Sequence, residues 1–127
     1  MNLEKVIFAF FIVFALTLNF GFFIGEIDNP SHHHVYELFA AIVISFIATV
    51  IKLGDRTHIG AVLLATSLVA DLHLIGAAII WGVSEHITAT GVTPEIMSTI
   101  VSVSGGALIA NITSVILLVI ETVVLRR

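Results

Sequence analysis

The chain has 127 residues, of which 58% are hydrophobic and only 11% charged, and its mean hydropathy is +1.15. A soluble domain averages about 25% charged residues, so this composition excludes an ordinary soluble protein and predicts a single integral membrane domain over residues 1–127. The chain contains no cysteine, which excludes disulfides, thiolate metal sites and cysteine nucleophiles.

Four apolar stretches are long enough to cross a hydrocarbon core, which takes about 20 helical residues. The first begins at Val6, and its apolar run exceeds the h-region of a secretory signal, which has about 7–15 residues. No small-x-small cleavage motif follows it, so we expect a retained span. All four must be helical because lipid cannot hydrogen-bond an open backbone, and none alternates as barrel strands do. The sequence therefore predicts an all-α, four-helix membrane bundle with spans over about residues 6–25, 35–53, 59–83 and 94–125.

The segments between the spans carry turn-forming residues. Asp28-Asn29-Pro30-Ser31 closes the first loop, and Gly54-Asp55 closes the second. Thr93 is the predicted N-cap of the fourth span, with Pro94 at the first helical position. Because the loops are short, neighbouring helices should be antiparallel.

The basic residues predict the orientation of the bundle. With four spans, both termini and the loop between spans two and three lie on one side, and all five Lys and Arg residues fall there. By the positive-inside rule this side is cytoplasmic. Tyr36 and Trp81 fall near span ends on the other side, where amphipathic aromatic side chains prefer the interface. The basic residues are Lys5, Lys52, Arg56, Arg126 and Arg127.

The side opposite the basic residues is acidic and rich in histidine. One interpretation is a solvated loop surface that is kept free of Lys and Arg for topology. The other is an outer vestibule that concentrates cations. The acidic residues are Glu26, Asp28, Glu37, Glu85 and Glu95, and the histidines are His32, His33, His34 and His86.

Some of these outer side chains have a spacing that suits a divalent metal ion. His33 and His34 lie four and three residues before Glu37, so a helix that begins early would bring either histidine beside the carboxylate. His86 would then be a further ligand. Histidines also gather in loops without binding metal, so a divalent metal and a plain histidine-rich loop both remain open. No other cofactor is indicated.

Asp71 lies near the middle of the third span, about 18 Å from either end at 1.5 Å per residue. A charged Asp there costs about 2.5–3.5 kcal/mol on insertion scales, so it faces protein or water, or is protonated. It is either a functional site or a hydrogen-bonded structural residue. His73 lies about 200° further around the helix, where it either joins helices or lines an ion path. Two polar groups on opposite sides of one span are hard to bury in a lone bundle, so we expect one to face another subunit.

Polar residues recur on the other spans near the depth of Asp71. Asn19, Ser45 and Asn111 fall within a turn or two of it, and Ser67 shares its helix face. Buried amides usually cross-link helices, at about 0.6 kcal/mol each, but this belt can equally line a water-filled path. In that case the ion pathway consists of Asn19, Ser67, Asp71, His73 and Asn111.

The fourth span has a small residue at every fourth position. Such a small-xxx-small ridge favours close helix packing, within the chain or between copies. A helix broken at Gly105-Gly106, exposing carbonyl groups to an ion, is the alternative. The ridge consists of Ser98, Ser102, Gly106, Ala110 and Ser114.

Three stretches resemble a known group of proteins: NFGFFIG from Asn19, KLGDRT from Lys52 and LATSLVADL from Leu64. On these residues the chain resembles an uncharacterised family of small proteobacterial inner-membrane proteins. The resemblance extends over the whole chain. It implies a bacterial inner-membrane location and carries no function.

The sequence supports two functional hypotheses. The first is an oligomeric cation channel or transport protein, with Asp71 as the central cation or proton site; a chain this small cannot easily enclose a pore alone, so a symmetric homo-oligomer is expected. The second is a non-transporting accessory subunit whose polar belt docks a larger membrane protein. No known channel signature is present, since the sequence has neither a TVGYG filter nor an Arg-rich voltage-sensor helix. No nucleophile–base arrangement is present either, so no enzyme is expected. The expected partners are lipid, cations and further copies of the chain, and not nucleic acid.

Overall fold

The computed structural model describes residues 3–26 and 28–124 and, of Leu125, the backbone. Arg126 and Arg127, two of the basic residues behind the predicted orientation, lie outside the described residues. The described chain is all-α, without a strand, as predicted. Its helices are α1 (Leu3–Phe23), a short 3-10 helix over Pro30–His32, α2 (Val35–Leu53), α3 (His58–His86) and α4 (Pro94–Leu125).

The helix starts follow from side-chain capping. The Thr57 hydroxyl accepts from the Gly60 N–H at 3.0 Å and begins α3. Thr93 does the same for α4, where its hydroxyl accepts from the Ile96 N–H at 3.2 Å. The loop between α1 and α2 turns at Gly25, whose φ of +106° lies in the left-handed region that glycine adopts without strain.

The four helices pack as a closed ring in which each touches the helix before it and the helix after it, and α1 touches α4. Short loops make the neighbours antiparallel. One end of the bundle therefore holds the start of α1, the α2–α3 loop and the last turns of α4; we call it the basic end, because Lys5, Lys52 and Arg56 lie there. The other, the acidic end, holds the α1–α2 and α3–α4 loops.

The outer surface of the bundle is apolar along its length. Large side chains such as Phe10, Leu72 and Val119 are more than half exposed. In water such a surface would drive aggregation, whereas lipid covers it at no cost. All four helices are long and apolar enough to cross a membrane, which makes the chain a multi-pass membrane protein.

A polar layer crosses the core between two apolar clusters. The cluster nearer the basic end contains Phe8, Ile12 and Leu63. The larger cluster, nearer the acidic end, is built around Phe22 and Leu74. Between them lie fully or almost fully buried polar side chains, namely Asn19, Ser45, Thr49, Ser67, Asp71 and Asn111.

Candidate functional site

Asp71 lies inside the bundle, between α3 and α2, and only 5% of it is exposed. Two hydroxyl groups one turn apart on α2 reach its carboxyl group. Ser45 Oγ donates to Oδ1 at 2.6 Å, and Thr49 Oγ1 is hydrogen-bonded to Oδ2 at 2.6 Å. Thr49 Oγ1 is also 3.0 Å from the carbonyl oxygen of Ser45. We call Asp71, Ser45 and Thr49 the Asp71 cluster.

The Asp71 cluster has no basic partner. In the part of the chain that the structure describes, the ion pairs join Lys5 to Glu121 and Lys52 to Asp55, and no Lys, Arg or His pairs with Asp71. A buried carboxylate without a compensating positive charge is strongly disfavoured. Among the described residues, the Asp71 carboxyl group is therefore held by two neutral hydroxyl groups and not by a basic side chain.

Sequence reasoning singled out Asp71 and Ser45 but missed Thr49. The signal was present, because Ser45, Thr49 and Lys52 recur at intervals of four and three residues and so share one face of α2. That polar face in an otherwise apolar helix is turned inward, and all three residues are buried. It runs from the depth of Asp71 to the basic end of the bundle.

Lys52 is the last residue of this polar face. It is only 4% exposed, and its buried positive charge has partners. Its ammonium group lies 4.3 Å from the centre of the Phe8 ring and donates to Asp55 at 3.2 Å. The Thr57 hydroxyl and backbone N–H also donate to Asp55, at 2.6 and 2.9 Å. These two bonds from Thr57, aided by Lys52, lower the pKa of Asp55 to about 2. A charged network thus closes the basic end between α1, α2 and the loop.

Ser67, another residue of the polar layer, lies on α3 one turn before Asp71 and therefore nearer the basic end. Its hydroxyl is completely buried and has no hydrogen-bond partner among the described residues. An unsatisfied buried hydroxyl costs about 1–3 kcal/mol. Ser67 therefore places one unpartnered hydroxyl group one turn from Asp71, and Asn111 Oδ1 and Glu121 Oε2 are the other unpartnered buried atoms among the described side chains.

The two buried asparagines form a separate cross-link between α1 and α4. With its amide oriented so that both ends are satisfied, Asn19 donates to the Ser104 carbonyl at 3.2 Å and accepts from the Leu108 N–H at 2.9 Å. The same oxygen accepts from the Asn111 amide at 3.3 Å. The predicted belt therefore divides, with the asparagines joining α1 to α4 and the Asp71 cluster joining α2 to α3.

His73 lies on the outside of the bundle, in contrast to Asp71. Its Nδ1 donates to the Val69 carbonyl of its own helix at 2.9 Å, and its ring lies against Gly106 of α4, where any side chain would collide with it. The ring borders an open groove of about 430 Å³. The groove is also lined by Ser98, Thr99, Ser102 and Val103.

The small-residue ridge of α4 is divided at Gly106. Toward the basic end Ala110 and Ser114 are buried, and Ser114 bonds Thr66 of α3 at 2.5 Å, so this half packs within the chain. Toward the acidic end, Ser98 and Ser102 line the open groove and Ser102 is exposed. This second half is therefore open to another molecule. The helix is continuous through Gly105-Gly106.

The five acidic residues predicted for a vestibule do lie at one end of the bundle. Glu26 and Asp28 are in the α1–α2 loop, and the rest are in the terminal turns of α2, α3 and α4. Asp28 and Glu95 line a common pocket of about 330 Å³. Glu37 is turned toward α1, and its carboxylate lies against Gly21. Glu85 and His86 instead line a groove with Tyr36 and Trp81.

His33 is buried in the same end of the bundle, with 2% exposed. Its two ring nitrogens lie 2.5 Å from the Phe22 carbonyl oxygen and 2.7 Å from that of Glu26. The Glu26 N–H donates in turn to Nδ1 of the neighbouring His32 at 3.0 Å. The two histidines thus bind the backbone N–H and the backbone carbonyl of Glu26, and they fix the path of the loop.

The structure does not bring the predicted metal ligands together. Among the described residues, no group of three or more His, Asp or Glu side chains is placed to hold a metal ion. His33 has both ring nitrogens at carbonyl oxygens, so it has no free nitrogen to offer. His34 precedes α2, Glu37 points toward Gly21, and His86 lies at the end of α3.

Comparisons with known proteins give a family but no function. The model of a family of unknown function, DUF6394, matches residues 32–122, which include Asp71 and both of its hydroxyl partners. No curated protein and no solved structure shows a significant match to the chain. The chain thus belongs to the DUF6394 family, as its resemblance to an uncharacterised membrane family predicted.

Proposed function

We propose that the protein moves small cations across a bacterial inner membrane and that the Asp71 cluster of each chain is the cation-binding site. One observation carries the proposal. A carboxyl group in the middle of a membrane helix is buried, is hydrogen-bonded to two hydroxyl groups and has no basic partner among the described residues. A bound cation is the positive charge that the chain itself does not supply there.

The position of the cluster favours a site within each chain over one shared by several. Asp71 is enclosed by α2 and α3 of its own bundle and lies away from the open groove at His73. Each copy of the chain therefore carries a complete set of ligands. Transport then requires the contact between α2 and α3 to open alternately toward the two sides of the membrane, as the binding sites of secondary transporters do.

Access from the basic end is supported by the polar face of α2. Thr49 and Lys52 lead from Asp71 to the α2–α3 loop, and Ser67 lies beside this route on α3. The ion pair between Lys52 and Asp55 closes the route at its end. We propose that breaking this pair opens the site to the cytoplasm.

The charges at the two ends of the bundle favour cations as the transported ions and favour one orientation of the chain in the membrane. The basic end faces the cytoplasm by the positive-inside rule, which places both termini inside. The acidic residues then face outward: Glu26, Asp28, Glu37, Glu85 and Glu95. A surface of one sign raises the local concentration of ions of the other sign.

We further propose that the chain forms a symmetric homo-oligomer through the open half of the α4 ridge. Ser98, Thr99 and Ser102 present polar groups at membrane depth in a groove of about 430 Å³. Small side chains let a second helix approach closely, and hydroxyl groups bond across such contacts. The oligomer would fix the position of each bundle relative to its neighbours in the bilayer. Each chain would keep its own Asp71 site.

Reconstitution of the purified protein alone tests the proposal. Liposomes under imposed gradients of H⁺, Na⁺, K⁺ and Mg²⁺ should show uptake of at least one cation, and Asp71→Asn should abolish it because the amide carries no charge. Glu4→Gln, an exposed acid far from the site, is the matched control. Uptake that is equal in the wild type and in Asp71→Asn would contradict the proposal.

The rival function is a non-transporting accessory subunit that docks a larger membrane protein. One observation favours it, namely that His73 and the hydroxyl groups of the open groove face outward at membrane depth. In that case liposomes containing only this protein conduct no cation, whatever residue occupies position 71. The same reconstitution therefore separates the two functions.

A further inference from the structure

The hydrogen atoms around Asp71 are too few for the oxygen contacts that the cluster makes. Three oxygen–oxygen distances have to be bridged: Ser45 Oγ to Asp71 Oδ1 at 2.6 Å, Thr49 Oγ1 to Asp71 Oδ2 at 2.6 Å, and Thr49 Oγ1 to the Ser45 carbonyl at 3.0 Å. Serine and threonine hydroxyl groups carry one hydrogen each. With an ionised carboxylate, two hydrogens serve three contacts.

We infer that the cation held by Asp71 is a proton, and that the carboxyl group is neutral in this state. Oδ2–H then donates to Thr49 Oγ1, Thr49 donates to the Ser45 carbonyl, and Ser45 Oγ donates to Oδ1. Each of the three contacts receives one hydrogen, and no uncompensated charge remains in the core. The inference rests on the proposed transport function and makes H⁺ its substrate.

The same distances disfavour a metal ion in this arrangement. Oxygen ligands of an octahedral ion at about 2.0–2.1 Å lie about 2.9 Å apart, and those of larger ions lie further apart still. The carboxyl oxygens and hydroxyl groups here are 2.6 Å from each other, which is direct hydrogen-bonding distance. A metal ion would have to separate them.

Among the described residues, the groups that surround the Asp71 carboxyl group are neutral dipoles. On α2 the nearest charged group is Lys52, one turn beyond Thr49, and it is occupied by Asp55. On α3, His73 points to the outer groove and bonds Val69. From α1 and α4 the buried polar side chains are amides and hydroxyl groups, which do not titrate in this range, namely Asn19, Ser104, Asn111 and Ser114.

Release of the proton rearranges the same contacts. Deprotonation leaves Thr49 free to turn its only hydrogen to the carboxylate and away from the Ser45 carbonyl. The proton leaves toward Ser67, whose buried hydroxyl has no partner among the described residues and lies one turn nearer the basic end. Asp71 thus gains and loses one proton in each cycle, and no other group is consumed.

Infrared spectroscopy of the purified full-length protein in liposomes tests the assignment. At neutral pH the wild type should show the C=O stretching band of a protonated carboxyl group, and the band should be missing from Asp71→Asn. Thr49→Val should shift the band, because it removes the hydroxyl that accepts from the carboxyl group. Glu4→Gln, which changes an exposed acid far from the site, is the control and should keep the band.

The possible results separate this inference from the proposed function. A Thr49-sensitive band that added Na⁺ does not change confirms the proton, and H⁺ uptake by the same liposomes then supports both. The band without any cation uptake upholds the proton at Asp71 but defeats transport. No band at neutral pH, or a band bleached by Na⁺ together with Na⁺ uptake, overturns the proton and leaves transport intact. If Asp71→Asn does not fold, the Thr49→Val shift decides.

Discussion

The imidazole ring of His33 closes the carboxyl end of α1, with Nδ1 2.5 Å from the carbonyl oxygen of Phe22. Its other nitrogen meets the Glu26 carbonyl at 2.7 Å. Carbonyl oxygens only accept, so the ring satisfies both when each nitrogen carries a hydrogen, which is the cationic imidazolium form. A positive charge at this place also complements the negative end of the α1 dipole.

The loop at the acidic end should therefore loosen when His33 is replaced by alanine, because both carbonyl oxygens then lose their donor. Trp81, the only tryptophan in the sequence, reports on this change, because the Phe22 ring lies 5.6 Å from His33 and 6.1 Å from Trp81. We expect His33→Ala to change the Trp81 emission and to speed amide hydrogen exchange in the α1–α2 loop. His86→Gln, in the groove beside Trp81, is the control and should keep the exchange rates of the wild type in that loop. Wild-type exchange rates in His33→Ala would refute this role.

Asp55 should stay ionised to a lower pH than an ordinary aspartate. Donation from Thr57, aided by Lys52, lowers its pKa from 3.8 to about 2. Because the folded pKa lies below the unfolded one, these contacts stabilise the fold above pH 3.8, and the stabilisation is lost as the pH falls toward 2. The melting temperature of the wild type should drop further over that interval than that of Asp55→Asn. Parallel melting profiles for the two proteins would argue against the predicted shift.

Gly106 should tolerate no side chain while His73 is present. A methyl group there collides with the His73 ring, and overpacking of this kind costs about 1–3 kcal/mol. We expect Gly106→Ala to unfold at lower temperature and Gly106→Ala/His73→Ala to recover most of the loss. Gly82→Ala is the control, since a Cβ at that helical position meets nothing within 4 Å. Equal stability of the Gly106→Ala and Gly82→Ala variants would show that the contact does not constrain the helices.

Self-association should depend on Ser102, in the open half of the ridge, and not on the half that packs within the chain. A leucine at Ser102 fills the groove that a second copy would enter, so the detergent-solubilised Ser102→Leu protein should have a lower mass than the wild type. Thr17→Leu changes an exposed hydroxyl position on α1 in the same way and should leave the mass unaltered. An unchanged mass for Ser102→Leu would remove this face from consideration as an oligomer contact.

The helices could be predicted from the sequence because the thickness of the bilayer sets the length of an apolar helix. The predicted bounds of α2 and α4 agree with the structure, and Thr93 caps α4 as expected. α3 continues to His86, beyond the predicted end at residue 83, because Ser84 and Glu85 extend it past the apolar run. Hydropathy marks where a helix enters lipid and not where its last turn ends.

The candidate site was only partly predictable. The depth of Asp71 in its span could be counted from the sequence, but its partner could not, since hydropathy does not specify which face of α2 turns toward α3. The pairing with Ser45 and Thr49 depends on that rotation. The role of His33 depends on the loop that turns at Gly25, so the sequence left both a metal ligand and a residue of a plain histidine-rich loop open for it.

Uptake of cations by liposomes that contain only this protein, compared between the wild type and Asp71→Asn at equal protein content, tests the central claim most directly. The claim predicts that the variant inserts and assembles as the wild type does, because an amide keeps the size of the side chain and can still accept from Ser45. It also predicts that the variant loses cation uptake, because position 71 no longer binds a positive charge. A well-assembled Asp71→Asn protein with wild-type uptake and the same choice of ion would contradict the account.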